Sequence, residues 1–159
     1  MDLWRISRHH ALDGDGGRLA AGRWNSGGAP VVYLAASAAG ALIEVLVHLD
    51  LDDDELPGDN TLLRVSVPGR LRISSLSVPA GEVWKSDESI TRKLGDTWLA
   101  AKRSALSQVP SAILPGTFNY LLNPLHLDAS RIKIAESQKA LFDHRLLRQG
   151  NRIWNECAS

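Results

Sequence analysis

A single cysteine, Cys157, stands among the 159 residues, two from the end. It excludes a disulfide within the sequence and a metal site built from several cysteines, and a reducing compartment is the expectation. Net charge is also missing, because 18 basic and 18 acidic residues cancel. No global field therefore draws the chain to nucleic acid or a membrane surface. Interleaved basic and aromatic residues, as in direct nucleic-acid binders, are lacking too. No apolar run reaches membrane-spanning length, and Met1-Asp2-Leu3-Trp4-Arg5 has neither the basic nor the apolar region of a secretory leader. A cytoplasmic protein is expected.

Other absences bear on chemistry. The five histidines, His9, His10, His48, His126 and His144, show no metal-ligand spacing, so no metal is expected. His48 and His126 stay conceivable as bases, beside structural roles at a helix end and a turn. Ser111 has no glycine elbow of the hydrolase kind. Gly16-Gly17 and Gly27-Gly28 fit neither the dinucleotide-crossover fingerprint nor a lysine-bearing phosphate loop. Asp52-Asp53-Asp54-Glu55 lacks calcium-loop spacing and reads as a solvated run.

What remains, 44% apolar and 23% charged, is the composition of an ordinary globular domain large enough to bury a core. The expected architecture is α+β: one compact domain over residues 1–147, with a mixed, mostly antiparallel sheet and a few helices, followed by a peripheral tail, 148–159. Leu3-Trp4-Arg5-Ile6 reads as a first strand, and the polar stretch with Gly14, Gly16 and Gly17 as an irregular loop. Val31 to Ala35 forms a strand, and Ser37 caps a helix from Ala38 to Leu49. Thr61 to Val67 alternates as a strand, with Leu71-Arg72-Ile73 as a brief extension. Ile90, Leu94, Trp98, Ala101 and Ala105 recur at helical spacing between Asp87 and Leu106. Val109 to Pro115 and Arg131 to Ile134 read as further strands, Asn119 to His126 as a proline-bounded turn, and Leu141 to Leu146 as a last core segment.

Chemistry concentrates between Gly22 and His48. Arg23 offers a planar fork of donors suited to phosphate oxygens. Tyr33, mid-strand, presents a ring or a hydroxyl to one side of a sheet. Glu44 lies in an otherwise apolar helical run, at the edge of the buried face or in a cavity. Plainer readings stand beside these: Tyr33 as a core aromatic, Glu44 as a helix residue reaching solvent, Asn119 and Asn123 as turn caps, Arg5 as a solvated strand residue.

Six blocks occur together in one order: Trp4-Arg5, Gly22-Arg23-Trp24-Asn25, Pro30 to Ala35, Glu44 to His48, Val109-Pro110-Ser111-Ala112 and Asn119 to His126. In these the chain resembles the RES-domain family, the toxins of bacterial RES-Xre toxin–antitoxin pairs, from about Trp4 to Leu146. The resemblance implies a fold similar to ADP-ribosyltransferases of the diphtheria-toxin kind and an enzyme acting on NAD as substrate. It implies cleavage of the nicotinamide–ribose bond, with NAD depleted by hydrolysis or phosphorolysis and growth arrested. A mono-ADP-ribosyltransferase acting on a cellular protein, or a non-catalytic protein-binding module, is the alternative. The implied partner is a helix-turn-helix, Xre-type antitoxin that supplies any DNA contact; the sequence leaves a homodimer open. Carried over by motif, Arg23, Tyr33, Glu44 and Ser111 are the catalytic set. NAD contacts are Arg23, Tyr33, Asn119 and, as a second basic contact, Arg5. Glu44 differs from the wider transferase pattern in lying on a helix instead of a late strand.

Overall fold

Alternation along the first strand, β1 (Asp2–Ser7), sets the two sides of the sheet, since successive side chains leave a strand on opposite faces. Leu3 is fully buried on one face; Trp4 leaves on the other and pairs with Ala35 of β2 (Val32–Ala35). The computed structural model describes residues 1–48, 59–140, 142, 143 and 146. Among them, β1 lies between β2 and β3 (Thr61–Ser66) and runs antiparallel to both. Outside β3 comes β7 (Lys133–Lys139). On the other side β2 pairs with β6 (Phe118–Leu122), β6 with β5 (Leu106–Pro110), and β5 with β4 (Ile73–Ser75). The order is β4-β5-β6-β2-β1-β3-β7, with β4 and β5 parallel and the other pairs antiparallel. This is the mixed, mostly antiparallel sheet expected.

One face buries Leu3, Val32, Leu34, Leu63, Val65 and Leu122. The other packs Val31, Val109 and Leu121 against Trp24 and against Trp98 and Leu99 of a 14-residue helix, α4 (Glu88–Ala101). Each such side chain removed from water contributes about 1.5–3 kcal/mol, so the apolar stripe of α4 is what holds it to the sheet. Asp87 starts α4 by accepting from the Ser89 backbone N–H at 2.9 Å. Helix α2 (Ala38–His48) packs on β1 and β2, and Ser37 Oγ accepts from the Gly40 N–H at 3.0 Å, the cap expected. No helix among the described residues is long and apolar enough to cross a membrane.

Several local expectations are corrected. The stretch with Gly14, Gly16 and Gly17 is not wholly irregular but contains α1 (Asp15–Leu19). A distant side chain holds it: Asn25 Nδ2 donates to the carbonyls of Gly17 at 2.8 Å and Ala20 at 3.1 Å, satisfying groups a five-residue helix leaves open. Ile73 does not extend β3 but begins β4 at the sheet edge, with a short helix, α3 (Val83–Ser86), leading from there to α4. The helical pattern through Ala105 ends earlier, at Ala101, where Lys102 takes φ 47°; Ala105 and Leu106 turn into the core and β5. Strand β5 therefore ends at Pro110, before Ser111, and Asn119 lies inside β6 instead of in a turn. Arg131 closes a 3-10 turn, Leu127–Arg131, that precedes β7. The run Asp52-Asp53-Asp54-Glu55, most of Leu141 to Leu146, and the tail with Cys157 lie outside the described residues.

Candidate functional site

The Gly22–Asn25 turn is built on the Tyr33 hydroxyl. Tyr33 Oη accepts from the Trp24 N–H at 3.0 Å and donates to Asn25 Oδ1 at 2.7 Å, while the Gly22 N–H closes the turn on the Asn25 carbonyl at 2.9 Å. A Cβ on Gly22 would lie 2.6 Å from Tyr33 Oη, so the turn sits this low only because residue 22 has no side chain. Burial pushes the Tyr33 phenol up to about 12. The Trp24 N–H and Arg92 oppose the shift; Asp96 and Glu88 add to it.

That shift has a measurable consequence. A phenol near 12 when folded and near 10 when unfolded stabilises the fold fully below pH 10, and the contribution is lost as pH rises towards 12. Tyr33→Phe should cost about 2 kcal/mol near neutrality, having left the Trp24 N–H and Asn25 Oδ1 unpaired. In urea unfolding the gap between wild type and Tyr33→Phe should shrink from pH 10 upward. A gap that stays constant to pH 12 would contradict this account.

Glu44 reaches the same side of the sheet. In the ladder Ala35 pairs with Asn119 and Tyr33 with Leu121, so Tyr33 and Asn119 share a face two positions apart. Asn119 Nδ2 donates to Glu44 Oε1 at 2.6 Å, fixing a half-buried carboxylate of α2 over the β2–β6 floor. Glu44 is thus neither a solvated helix residue nor a core one.

Ser111 continues the Val109–Asn119 side of the β5–β6 ladder, its N–H bonded to the Thr117 carbonyl at 3.0 Å. Its Oγ accepts from the N–H groups of Ile113 at 3.2 Å and Leu114 at 3.3 Å. Both lone pairs are engaged, so what the buried hydroxyl can offer a ligand is its proton.

Arg23 stands at the rim. Its Nη1 donates to the carbonyls of Lys85 at 3.1 Å and Trp84 at 3.4 Å, and its Nη2 lies 3.5 Å from Glu88 Oε1. Arg5 is not brought into this group. It alternates with Trp4 on β1, pairs across the ladder with buried Leu63, and donates from Nη1 to the Ala11 carbonyl at 3.1 Å. Burial lowers its pKa, with Asp13 opposing. Strand parity therefore sends Arg5 to the opposite face from Tyr33 and Asn119, a separation that adjacency in sequence does not reveal. His126 is a turn cap, its Nδ1 accepting from the Asp128 N–H at 3.0 Å.

Sequence reasoning missed the partners on α4. Thr91 Oγ1 donates to the Arg23 carbonyl at 2.6 Å, Arg92 Nε to the Gly22 carbonyl at 2.9 Å, and Asp96 accepts from the Ser26 N–H at 3.0 Å and hydroxyl at 2.6 Å. Gly95 lies against the Trp24 carbonyl. Together with Glu88 these are positions i, i+3, i+4, i+7 and i+8, one stripe of the helix. That spacing was the available signal.

The seven-stranded mixed sheet with its few helices is an ADP-ribosyltransferase-like α+β domain. The same fold is found in the crystal structure of the M. tuberculosis MbcT–MbcA toxin–antitoxin complex, with a TM-score of 0.69 at 19% identity over 92% of this chain and 86% of that one. Residues 2–143 match the RES domain, and the chain belongs to the RES-domain family. It is 44% identical to a Pseudomonas putida protein named Toxin Res, over 84% of this chain and 92% of the relative. It is 35% identical to the Prs ADP-ribosylating toxin of a Sphingobium species, over 92% and 97%.

Proposed function

We propose that this chain is the toxin of a bacterial toxin–antitoxin pair and breaks the nicotinamide–ribose bond of NAD in the site formed by Arg23, Tyr33, Glu44, Ser111 and Asn119. The observation that carries this reading is the Glu44 carboxylate, held by Asn119 at 2.6 Å on the sheet face that bears Tyr33. Family membership and the names of the relatives support it.

Nicotinamide departs from a cationic ring as a neutral molecule, so the barrier lies in building oxocarbenium character on the ribose. A fixed carboxylate beside that sugar stabilises the developing charge or bonds its hydroxyls, and no strong nucleophile is required. Tyr33 has its hydroxyl committed to the turn, which favours its ring as a stacking face for nicotinamide. Ser111 donates its proton to the amide oxygen or an acceptor. Arg23 takes the diphosphate. Replacing it by lysine keeps the charge but cannot span the Trp84, Lys85 and Glu88 oxygens together, so Arg23→Lys should weaken NAD binding by about tenfold or more. Unchanged affinity by calorimetry removes Arg23 from the diphosphate.

Hydrolysis or phosphorolysis that depletes NAD is the reading adopted for the acceptor. The Sphingobium relative's name favours a second, transfer of ADP-ribose to a protein. Incubation with NAD, with and without phosphate, followed by mass spectrometry of products and added protein, separates them. Release of nicotinamide is expected in every case, and its absence overturns the reading. The partner proposed is a helix-turn-helix antitoxin, and growth arrest on expression should be relieved by co-expressing it.

A further inference from the structure

Glu88 shares one carboxylate between two guanidinium groups. Its Oε1 faces Arg23 Nη2 at 3.5 Å and its Oε2 accepts from Arg92 Nη2. All three side chains are part exposed, at 28%, 36% and 39% for Arg23, Arg92 and Glu88. Both arginines are positioned by something other than this carboxylate. Backbone carbonyls of Trp84 and Lys85 hold Nη1 of Arg23, and the Gly22 carbonyl holds Nε of Arg92. Each therefore keeps one edge on the main chain and turns another edge to a single exchangeable anion.

We infer that Arg23 and Arg92 form a paired seat for a diphosphate, and that Glu88 fills this seat in the ligand-free protein and is displaced by the ligand. The inference rests on the NAD reading and names the second basic contact that Arg5 does not supply. Two guanidiniums and one carboxylate leave one positive charge uncompensated, and a diphosphate brings two negative charges whose paired oxygens suit the planar donor forks of arginine. Because main-chain carbonyls fix both cations, the seat stays formed when Glu88 swings away, so ligand binding costs little reordering. The seat adjoins the Tyr33 hydroxyl, since Arg92 binds the carbonyl of Gly22, the residue packed on that oxygen.

The test is calorimetric binding of ADP-ribose to the full chain, with nicotinamide riboside, which lacks the diphosphate, as control. Glu88→Gln frees both forks from a competing charge and should bind ADP-ribose about three- to tenfold more tightly, with the riboside unchanged. A merely structural Glu88 gives equal or weaker binding, and that result overturns the inference. Arg92→Gln should bind ADP-ribose at least about tenfold more weakly. If that variant fails to fold by circular dichroism, Arg92→Lys, which keeps a donor for Gly22, should show the same loss. Wild-type affinity in a folded Arg92 variant, with nicotinamide still released from NAD by the unaltered chain, overturns the seat alone. ADP-ribose binding with the expected variant effects but no nicotinamide release overturns the NAD-cleaving reading and keeps the seat. No ADP-ribose binding by the unaltered chain overturns both.

Discussion

Glu44→Gln should lower nicotinamide release from NAD about a hundred- to a thousandfold while leaving the unfolding midpoint close to that of wild type. The size follows from removing one preorganised electrostatic contact at a developing charge. The stability follows from geometry: a glutamine side-chain oxygen can still accept from Asn119 Nδ2, so the 2.6 Å bond between α2 and β6 persists. Glu44→Ala removes charge and bond together, and should abolish turnover with a loss of about 1 kcal/mol in stability. Comparing the two separates chemistry from scaffolding. Undiminished turnover in the purified, folded glutamine variant takes Glu44 out of the mechanism.

The largest loss of stability is expected at Gly95. In an exposed helix interior, glycine to alanine stabilises by about 1 kcal/mol through helix propensity alone. Here an added methyl would run into the Trp24 carbonyl, which is backbone and cannot rotate away. Helix α4 must then lift from the sheet, straining the packing of Trp98 and Leu99 against Val109 and Leu121 and stretching the bonds from Thr91, Arg92 and Asp96 to the 22–26 turn. Gly95→Ala should cost about 3 kcal/mol or more, with weakened NAD binding in any fraction that folds. Chemical denaturation decides the sign: a variant as stable as wild type, or more so, shows that this helix does not approach the turn as closely as described.

Elements with an internal period were legible before the structure. Strands β1 and β3 alternate, β2 is a short apolar run behind a glycine turn, and α4 carries Ile90, Leu94 and Trp98 at helical spacing. The strand β4 was not, because three residues hold no period and its pairing with β5 is parallel and across a long connection. The helix α1 was hidden for another reason: its support is the Asn25 side chain, outside the helix altogether. For the site, Arg23, Tyr33 and Glu44 stood out by residue type, and the structure bonds Glu44 to Asn119 on the sheet face that carries Tyr33. Arg5 leaves the sheet on the face opposite Tyr33 and Asn119, which could not be read without the register of β1 on β2. The polar stripe Glu88, Thr91, Arg92 and Asp96 looks in sequence like the wet side of an amphipathic helix, and only the turn laid along it makes it otherwise.

The bond between Asn119 and Glu44 joins residues 75 apart, and those from α4 to the 22–26 turn span 68 to 70. During synthesis, then, Tyr33 meets its partners Trp24 and Asn25 at once, whereas Arg23 and Glu44 leave the ribosome well before Trp84, Lys85, Glu88 and Asn119, which hold them. A nascent or truncated chain ending before β6 carries Glu44 without the Asn119 amide that holds it. On the NAD reading such a fragment should release no nicotinamide, and activity should wait until translation has passed β6.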